Sequence, residues 1–574
     1  MVKRIMFKAI IILALITLNS LSIAKVASQS SLPNILSPQN AAPENEASQK
    51  QASLYLPDFS YAGYHNGERS IPNVAGTVIH VVDFGAMPND QKDDSHALIK
   101  ALDEAHKVSG PVVVRFTAGR FIVSEILHIK RSNIVLRGEG AGENGTQLFF
   151  PRPLKMVDKG ASLPEVREFL REYDKRQREP NKNIDEYFSE YSWSGGFIWV
   201  QKEGTRPAPY LEKYDPEIIA LAHATAGKIG SHEITVANTD NVKVGQVLEL
   251  QWLNRDGEQG ALLTELYNNT EVAIGSNHWL KPERPLVRQK TRITAIDGTQ
   301  VTIHDPLLHN ISTEIPAQFA AWDHLVEVGI EDMHIMFPES LNFGHHMEQG
   351  YNGIYFTSVF NGWIRNVNIS NADAALLTYN SANLTISDIQ SLGEREGHYA
   401  VHVGNVHNVL VKNLFVYNPV IHSLTVNTQA TKSVFMNAHA FAAPALDQHA
   451  GANHQNLFDN IHVYFSARRD ENGQAYYPIW NGSGARYWQP GHARYNTTWN
   501  LQVNVMGGAG RDETVLLRGP AEGPDARIVG VSGNRSFEVD YYPEPYIERL
   551  NQSMQDVPSL YLWQLEQRMK TKQD

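Results

Sequence analysis

The sequence predicts an all-β chain wound as a parallel β-helix, and three observations lead there. Asn366, Asp388, Asn413, Asn437 and Asn460 recur at intervals of 22, 25, 24 and 23 residues. A steady period in the range of about 20–50 residues marks a solenoid with one supersecondary unit per repeat. Most of these positions lie between short strand-like runs: Trp363-Ile364 and Val367-Asn368-Ile369, Leu384-Thr385-Ile386 and Ile389, Val409-Leu410-Val411 and Leu414-Phe415-Val416. β-Branched runs broken by Asn, Asp, Gly and Ser read as strands and turns. Like polar residues at one corner of stacked coils can also hydrogen-bond from coil to coil as a ladder. Asn and Asp form ordinary turns too, but turns alone would not hold such an interval.

That register predicts which other residues stack. His398 lies 10 residues after Asp388, His422 9 after Asn413, Asp447 10 after Asn437 and Arg469 9 after Asn460. Coils one strand spacing apart, about 4.8 Å, would line these four up as a polar stripe. No core needs such a stripe, because unpaired buried polar groups are costly. A merely solvated flank would carry Lys, Glu and Ser instead. His398, His422 and Asp447, with Arg395 in the turn Glu394-Arg395-Glu396-Gly397-His398, are therefore the predicted catalytic residues.

Composition and charge restrict the partners. Residues 1–24 read as a signal peptide: Lys3, Arg4 and Lys8, then an apolar run from Ala9 to Leu18, then Ser22-Ile23-Ala24 as a small-x-small cleavage site. The expectation is a bacterial secreted or periplasmic protein, with no lipoprotein cysteine and no membrane anchor. Zero cysteines excludes disulfides and thiolate metal sites. The net charge of −12 argues against nucleic acid. It also means that an anionic polymer would have to be held by a local basic cleft.

Residues 25–75, rich in Ser, Pro, Gln and Asn, read as a linker or loosely attached arm. Residues 76–150 begin the coil stack. Ala97, Leu98, Ala101, Leu102 and Ala105 share one face of a predicted helix that Asp93 and Asp94 are suited to cap and Gly110-Pro111 ends. A helix there would cover the open solenoid end. Strands follow at Val112–Phe116, Ile122-Val123 and Asn133–Arg137.

This stretch, about residue 79 to 150, resembles the first segment of the pectate-lyase-like, right-handed parallel β-helix superfamily. That group also includes rhamnogalacturonases, polygalacturonases and phage tailspikes. The matching residues are Asp83-Phe84-Gly85-Ala86, Asp93-Asp94, Ala101-Leu102, Gly110, Gly119-Arg120-Phe121, Gly138-Glu139-Gly140 and Thr146. The resemblance implies a right-handed helix and carbohydrate chemistry, without choosing among lysis, hydrolysis, epimerisation and binding. Polygalacturonase-type Asn238-Thr239-Asp240 lacks its companion motifs, and Trp322-Asp323-His324 matches only one of the pectate-lyase blocks. Neither mechanism is carried over.

Residues 151–320 interrupt the coils and read as an inserted β-rich module, clearest between Lys228 and Leu308. Residues 321–535 hold the main coils and their cleft loops, and residues 536–574 a C-terminal flank. Gly344-His345-His346-Met347-Glu348 leads into the repeats, and Asp447-Gln448-His449 continues through Asn453-His454 into a second His-rich turn. An aromatic segment holds Trp480, Arg486, Trp488, His492, Arg494 and Tyr495. Aromatic faces pack on sugar rings and Arg grips carboxylates. His449, His454, Arg469, Trp480, Arg486, Trp488, His492 and Tyr495 are accordingly the predicted substrate-binding residues. The spacing of Asp447, His449 and His454 is too loose to predict a metal; Ca2+ held by Asp and Asn oxygens stays open.

The expected function is a polysaccharide lyase. It would cleave an acidic, uronic-acid-containing polysaccharide by β-elimination, with a His base and Arg neutralisation, and act as a monomer. A glycoside hydrolase using paired Asp and Glu, drawn from Asp447, Asp373, Glu394 and Glu396, is the alternative. A non-catalytic, tailspike-like glycan binder is the third reading. If the register holds, His422 is the central base and His345, His346 and Glu348 are the fallback site.

Overall fold

A computed structural model describes residues 32–36, 55–168, 170, 188–208, 218–268, 283–483, 489–521 and 523–572. Successive coils each give a strand to two long parallel sheets. The first sheet includes Gly329–Met336, Trp363–Ser370, Thr385–Leu392, Leu410–Val416, Leu457–Ser466 and Thr497–Gly507. The second runs through Leu127–Ile129, Ile198–Val200, Asn352–Thr357, Ala374–Tyr379, Gly397–Gly404, Val420–Asn427, Leu446–His449 and Trp480–Ser483. Single bridges link Phe360, Ala382, His407, Thr431 and His454 along a third line. This is a parallel β-helix.

The core forms because equivalent apolar residues stack. Val367, Ile389 and Leu414 pair in sequence, as do Leu376, Val401, Leu424, Leu446 and Trp480, and all are buried. Each large aliphatic side chain removed from water contributes about 1.5–3 kcal/mol. The corner ladder is present and longer than its five founding residues. Asn413 Nδ2 donates to Asp388 Oδ1 at 2.9 Å, and Asn460 Nδ2 to Asn437 Oδ1 at 2.7 Å. Asp332 accepts from Asn366 on one side, and Asn500 donates to Asn460 on the other. All seven residues have φ between 51° and 60°. A left-handed corner costs most side chains roughly 1–2 kcal/mol, and Asn and Asp tolerate it best.

The helix Ser95–Lys107 buries the five predicted apolar residues. Asp94 does not cap it: its carboxylate accepts the amides of Met87 and Ile122 and ties the preceding turn to a coil. Within 151–320, six antiparallel strands from Ala220–Gly227 to Ala317–Ala320 close a barrel, whereas Ile198–Val200 belongs to the helix. From residue 55 the N-terminal arm is not loose. Phe59 and Ala62 pack with Leu410, Val434, Trp499 and Leu560 in one buried cluster. The coils continue past residue 535 as Tyr546–Leu550, and the helix Leu560–Thr571 lies on that cluster. Among the described residues no helix is long and apolar enough to cross a membrane.

Asn413→Ala should lose both a corner hydrogen bond and left-handed tolerance, about 1–3 kcal/mol together. Asn413→Gly should lose less, because glycine keeps the corner unstrained. Thermal unfolding of the two variants checks this; equal losses would refute the ladder's conformational role.

Candidate active site

Three neighbouring strands of the second sheet bring His398, His422, Asp447 and His449 together, and the loop 344–350 adds His345, His346 and Glu348. Three members of the predicted column, His398, His422 and Asp447, do cluster, but not in the predicted register, and Arg469 lies on another sheet. His422 pairs with Tyr399, and Asp447 pairs with Thr425, which itself pairs with His402. For His398 and His422 the physical reason lies at the start of Gly397–Gly404. The amides of His398 and Tyr399 both donate to Asp373 O, at 2.6 and 3.3 Å. Two consecutive residues against one partner make a bulge, which re-aims side chains. The two rings consequently stack 4.1 Å apart, and Tyr399 stacks on His422 at 5.0 Å.

His345 Nε2 lies 3.1 Å from His398 Nε2, and His398 Nδ1 lies 3.0 Å from Glu348 Oε1. Glu348 also accepts the His346 amide and the Ser192 hydroxyl. Asp447 sits between two imidazoles. His449 Nδ1 donates to its Oδ1 at 3.4 Å. His422 Nδ1 is 3.0 Å from its Oδ2 but out of line for a hydrogen bond. The fallback loop and the predicted column are thus one site. Its most exposed ring is His345, whereas His398 is only 2% exposed and His422 8%.

Electrostatics follow from that burial. Desolvation, reinforced by His422, lowers the His345 pKa to about 4, and desolvation with His345 and His398 lowers His346 to about 2. His398 is pushed well below the ordinary imidazole value by burial and by His422 and His345. Burial, then His449, takes His402 to about 3. These rings are neutral bases near pH 7. Burial alone would raise Asp447, but the His422 and His449 rings outweigh it and hold the carboxyl well below the usual carboxylate range.

Arg395, expected to neutralise a substrate carboxylate, is committed elsewhere. Its Nη1 lies 2.8 Å from Asp373 Oδ1 and donates to Ser340 Oγ, and its Nη2 donates to Asn371 O. Asp373 Oδ2 in turn accepts the amides of Gly350 and Tyr351. One buried ion pair therefore anchors the His345 loop and, through the Asp373 carbonyl, the His398 bulge.

Five other expectations need correcting. Trp480 is 2% exposed, with its indole N–H on Thr498, so it packs in the core. His492 is fully buried against the Tyr541 hydroxyl at 2.8 Å. Arg469 lies on a separate four-stranded sheet, paired with Glu513. His454 contacts His309 Nε2 at 2.8 Å and, with Tyr495, lines another cavity of about 260 Å³. Neither lies with Asp447, so the Asp447/His449/His454 turn is not one site. Arg486 and Trp488 fall outside the described residues. Sequence reasoning passed over His402 and Tyr399, although His398 and His402 on one strand were a readable signal. It also passed over Asp373 as an anchor, for which no local signal existed.

Further along the same sheet, Tyr379 and Asn405 face Glu249, Arg288 and Trp322 of the barrel across a cavity of about 380 Å³.

Residues 78–149 match the family described as rhamnogalacturonase A/epimerase, pectate lyase-like. The chain is a parallel β-helix whose first coils match that family. The tailspike of Pseudomonas phage phi297 is similar at 12% identity, over 83% of this chain and 79% of that one, with a TM-score of 0.41. An exopolygalacturonase from Thermotoga maritima is similar at 10% identity over 83% and 94%, with a TM-score of 0.30. A DFA-IIIase from Arthrobacter chlorophenolicus A6 gives 11% over 80% and 84%, at 0.34. These are likenesses of fold alone. No curated protein matches the chain by sequence.

Two outcomes follow for this β-helix. Arg395→Ala should cost about 3–5 kcal/mol, the usual penalty for orphaning one partner of a buried pair. Equilibrium denaturation reads it, and a loss under ~1 kcal/mol would refute the anchor. His345, His346, His398 and His402 have folded pKa values below their unfolded value of about 6.5, so the unfolded chain binds more protons below that pH. Their stability contribution is complete above pH ~6.5 and is lost as pH falls towards 4 and below. Thermal midpoints should therefore fall steadily from pH 6.5 to 4; a rise would contradict the assignment.

Proposed function

We propose that this protein is an exported polysaccharide lyase, acting as a monomer on an anionic, uronic-acid-containing glycan. The observation that carries the reading is the Asp447–His449 hydrogen bond within a nest of neutral imidazoles. An ionised carboxylate accepting Nδ1–H fixes the tautomer that leaves Nε2 bare, which is how a His base is oriented. In β-elimination His449 Nε2 takes the C5 proton, the C4–C5 double bond forms and the C4–O bond breaks. The imidazolium then returns its proton to the leaving oxygen. His449 replaces His422 as the base because only His449 is aligned with Asp447.

A glycoside hydrolase needs one carboxyl held protonated as general acid beside a second carboxylate. Asp447 is held strongly ionised, the opposite of what the acid role requires. Asp373 is raised by burial but is locked to Arg395 and two backbone amides. Export is supported by the basic and then apolar start of the sequence.

Incubation with a panel of uronic-acid and sulfated polysaccharides should release ultraviolet-absorbing unsaturated uronates. New reducing ends without that absorbance would establish a hydrolase instead. His449→Ala and Asp447→Asn should each lower kcat by about 10²–10⁴, the range for losing a general base, with circular dichroism unchanged. Normal turnover in both variants would remove the dyad from the mechanism.

A further inference from the structure

Among the described residues of the cluster, the lyase reading leaves one requirement without a side chain. The substrate carboxylate must be neutralised, and Arg395 is tied to Asp373. Next to the dyad stand His345, His398 and His422, each offering one ring nitrogen, with these atoms all within 4.8 Å of one another. We propose that these three histidines form a binding site for a divalent transition-metal ion of the zinc type.

Three features of the geometry support it. Zinc binds imidazole nitrogen at about 2.0–2.1 Å, so two nitrogens on one tetrahedral ion stand about 3.3 Å apart. The Nε2 atoms of His345 and His398 are separated by 3.1 Å. The second feature is the surrounding carboxylates. Metal-bound imidazoles characteristically present their other nitrogen to a carboxylate, which sets the tautomer and raises basicity. Glu348 Oε1 lies 3.0 Å from His398 Nδ1, and Asp447 Oδ2 lies 3.0 Å from His422 Nδ1. Glu348 is itself held by Ser192 and by the His346 amide. Third, Nε2 of the buried His422 makes no hydrogen bond among the described residues. A ring nitrogen desolvated without a hydrogen bond is costly, and coordination would recover that cost.

The donor set decides the ion class. Three neutral nitrogens suit zinc, copper, iron or nickel, whereas calcium takes oxygen ligands. The Ca2+ left open on Asp and Asn oxygens therefore does not fit this cluster. A second triad, His422, Asp447 and His449, shares His422. The first is preferred because the His449–Asp447 hydrogen bond occupies the other. Three protein ligands leave a fourth position open, as in catalytic zinc sites. A uronate carboxylate oxygen bound there would have its charge neutralised beside His449. This role rests on the lyase reading; the binding of the ion does not.

The test is calorimetric titration of chelator-treated full-length protein with zinc chloride and cobalt chloride, with visible absorption of the cobalt form and thermal unfolding in parallel. The expected result is one equivalent per chain, a tetrahedral cobalt spectrum and a raised thermal midpoint. His345→Ala should abolish binding; this ring is exposed and its loss leaves the core intact. Glu348→Gln should weaken binding by about 10–100-fold, the usual effect of altering an outer-sphere carboxylate. Folded wild-type protein that takes up neither ion would overturn the proposal. So would binding that survives His345→Ala but is lost in His449→Ala, since that places the ion on the other triad. Unsaturated product from metal-free protein at full rate would remove the carboxylate role while leaving the site; stoichiometric metal with no unsaturated product would instead defeat the lyase reading alone.

Discussion

Parallel coil-to-coil hydrogen bonding, at about 4.8 Å per step, is the constraint on which the rest of this molecule depends. It makes every side chain the neighbour of its equivalents in the coils before and after. Apolar residues then stack into a continuous core, and left-handed Asn and Asp residues stack into a corner ladder. The same constraint lets His398, His422 and the Asp447–His449 pair, which lie more than 20 residues apart along the chain, meet in one small volume.

Holding polar groups in such a place requires partners, and the structure supplies them in linked pairs. Arg395 balances Asp373, whose carboxylate and carbonyl together fix the His345 loop and the His398 bulge. Glu348 backs His398, and Asp447 backs His422 and His449. The pairs are not equally complete. Around Asp447 and His422 several polar atoms lack aligned hydrogen bonds among the described residues. Buried polar atoms without aligned partners are expected where a site is arranged for a ligand rather than for stability.

The chemistry of the cluster follows from which charges survive burial. Desolvation keeps the deeply placed imidazoles neutral, while Asp447 stays ionised because two rings lie against it. Neutral bases beside a fixed anion suit proton abstraction. A protonated carboxyl, the centre of hydrolytic glycosidase chemistry, is what this environment disfavours at Asp447. Apart from the cluster, a cavity of about 380 Å³ lies where Tyr379 and Asn405 meet Trp322 and Arg288.

The spacing of Asn366 to Asn460 and the alternating runs around them were enough to determine the β-helix, because a repeated unit writes its period directly into the chain. The capping helix was legible for the same reason, from Ala97 to Ala105 on one face. The membership of His398, His422 and Asp447 in one face was also readable. What only the tertiary structure decided was their exact contacts. A two-amides-to-one-carbonyl bulge at Asp373 leaves no signature in composition or period, yet Tyr399 rather than His398 stands opposite His422. The aromatic segment misled for a related reason. Trp480 and His492 look like subsite residues along the chain, but the coil interior takes large rings wherever their N–H finds a partner, as Thr498 and Tyr541 provide. Local periodicity is a property of one segment. Burial and pairing are properties of the space that several distant segments enclose together.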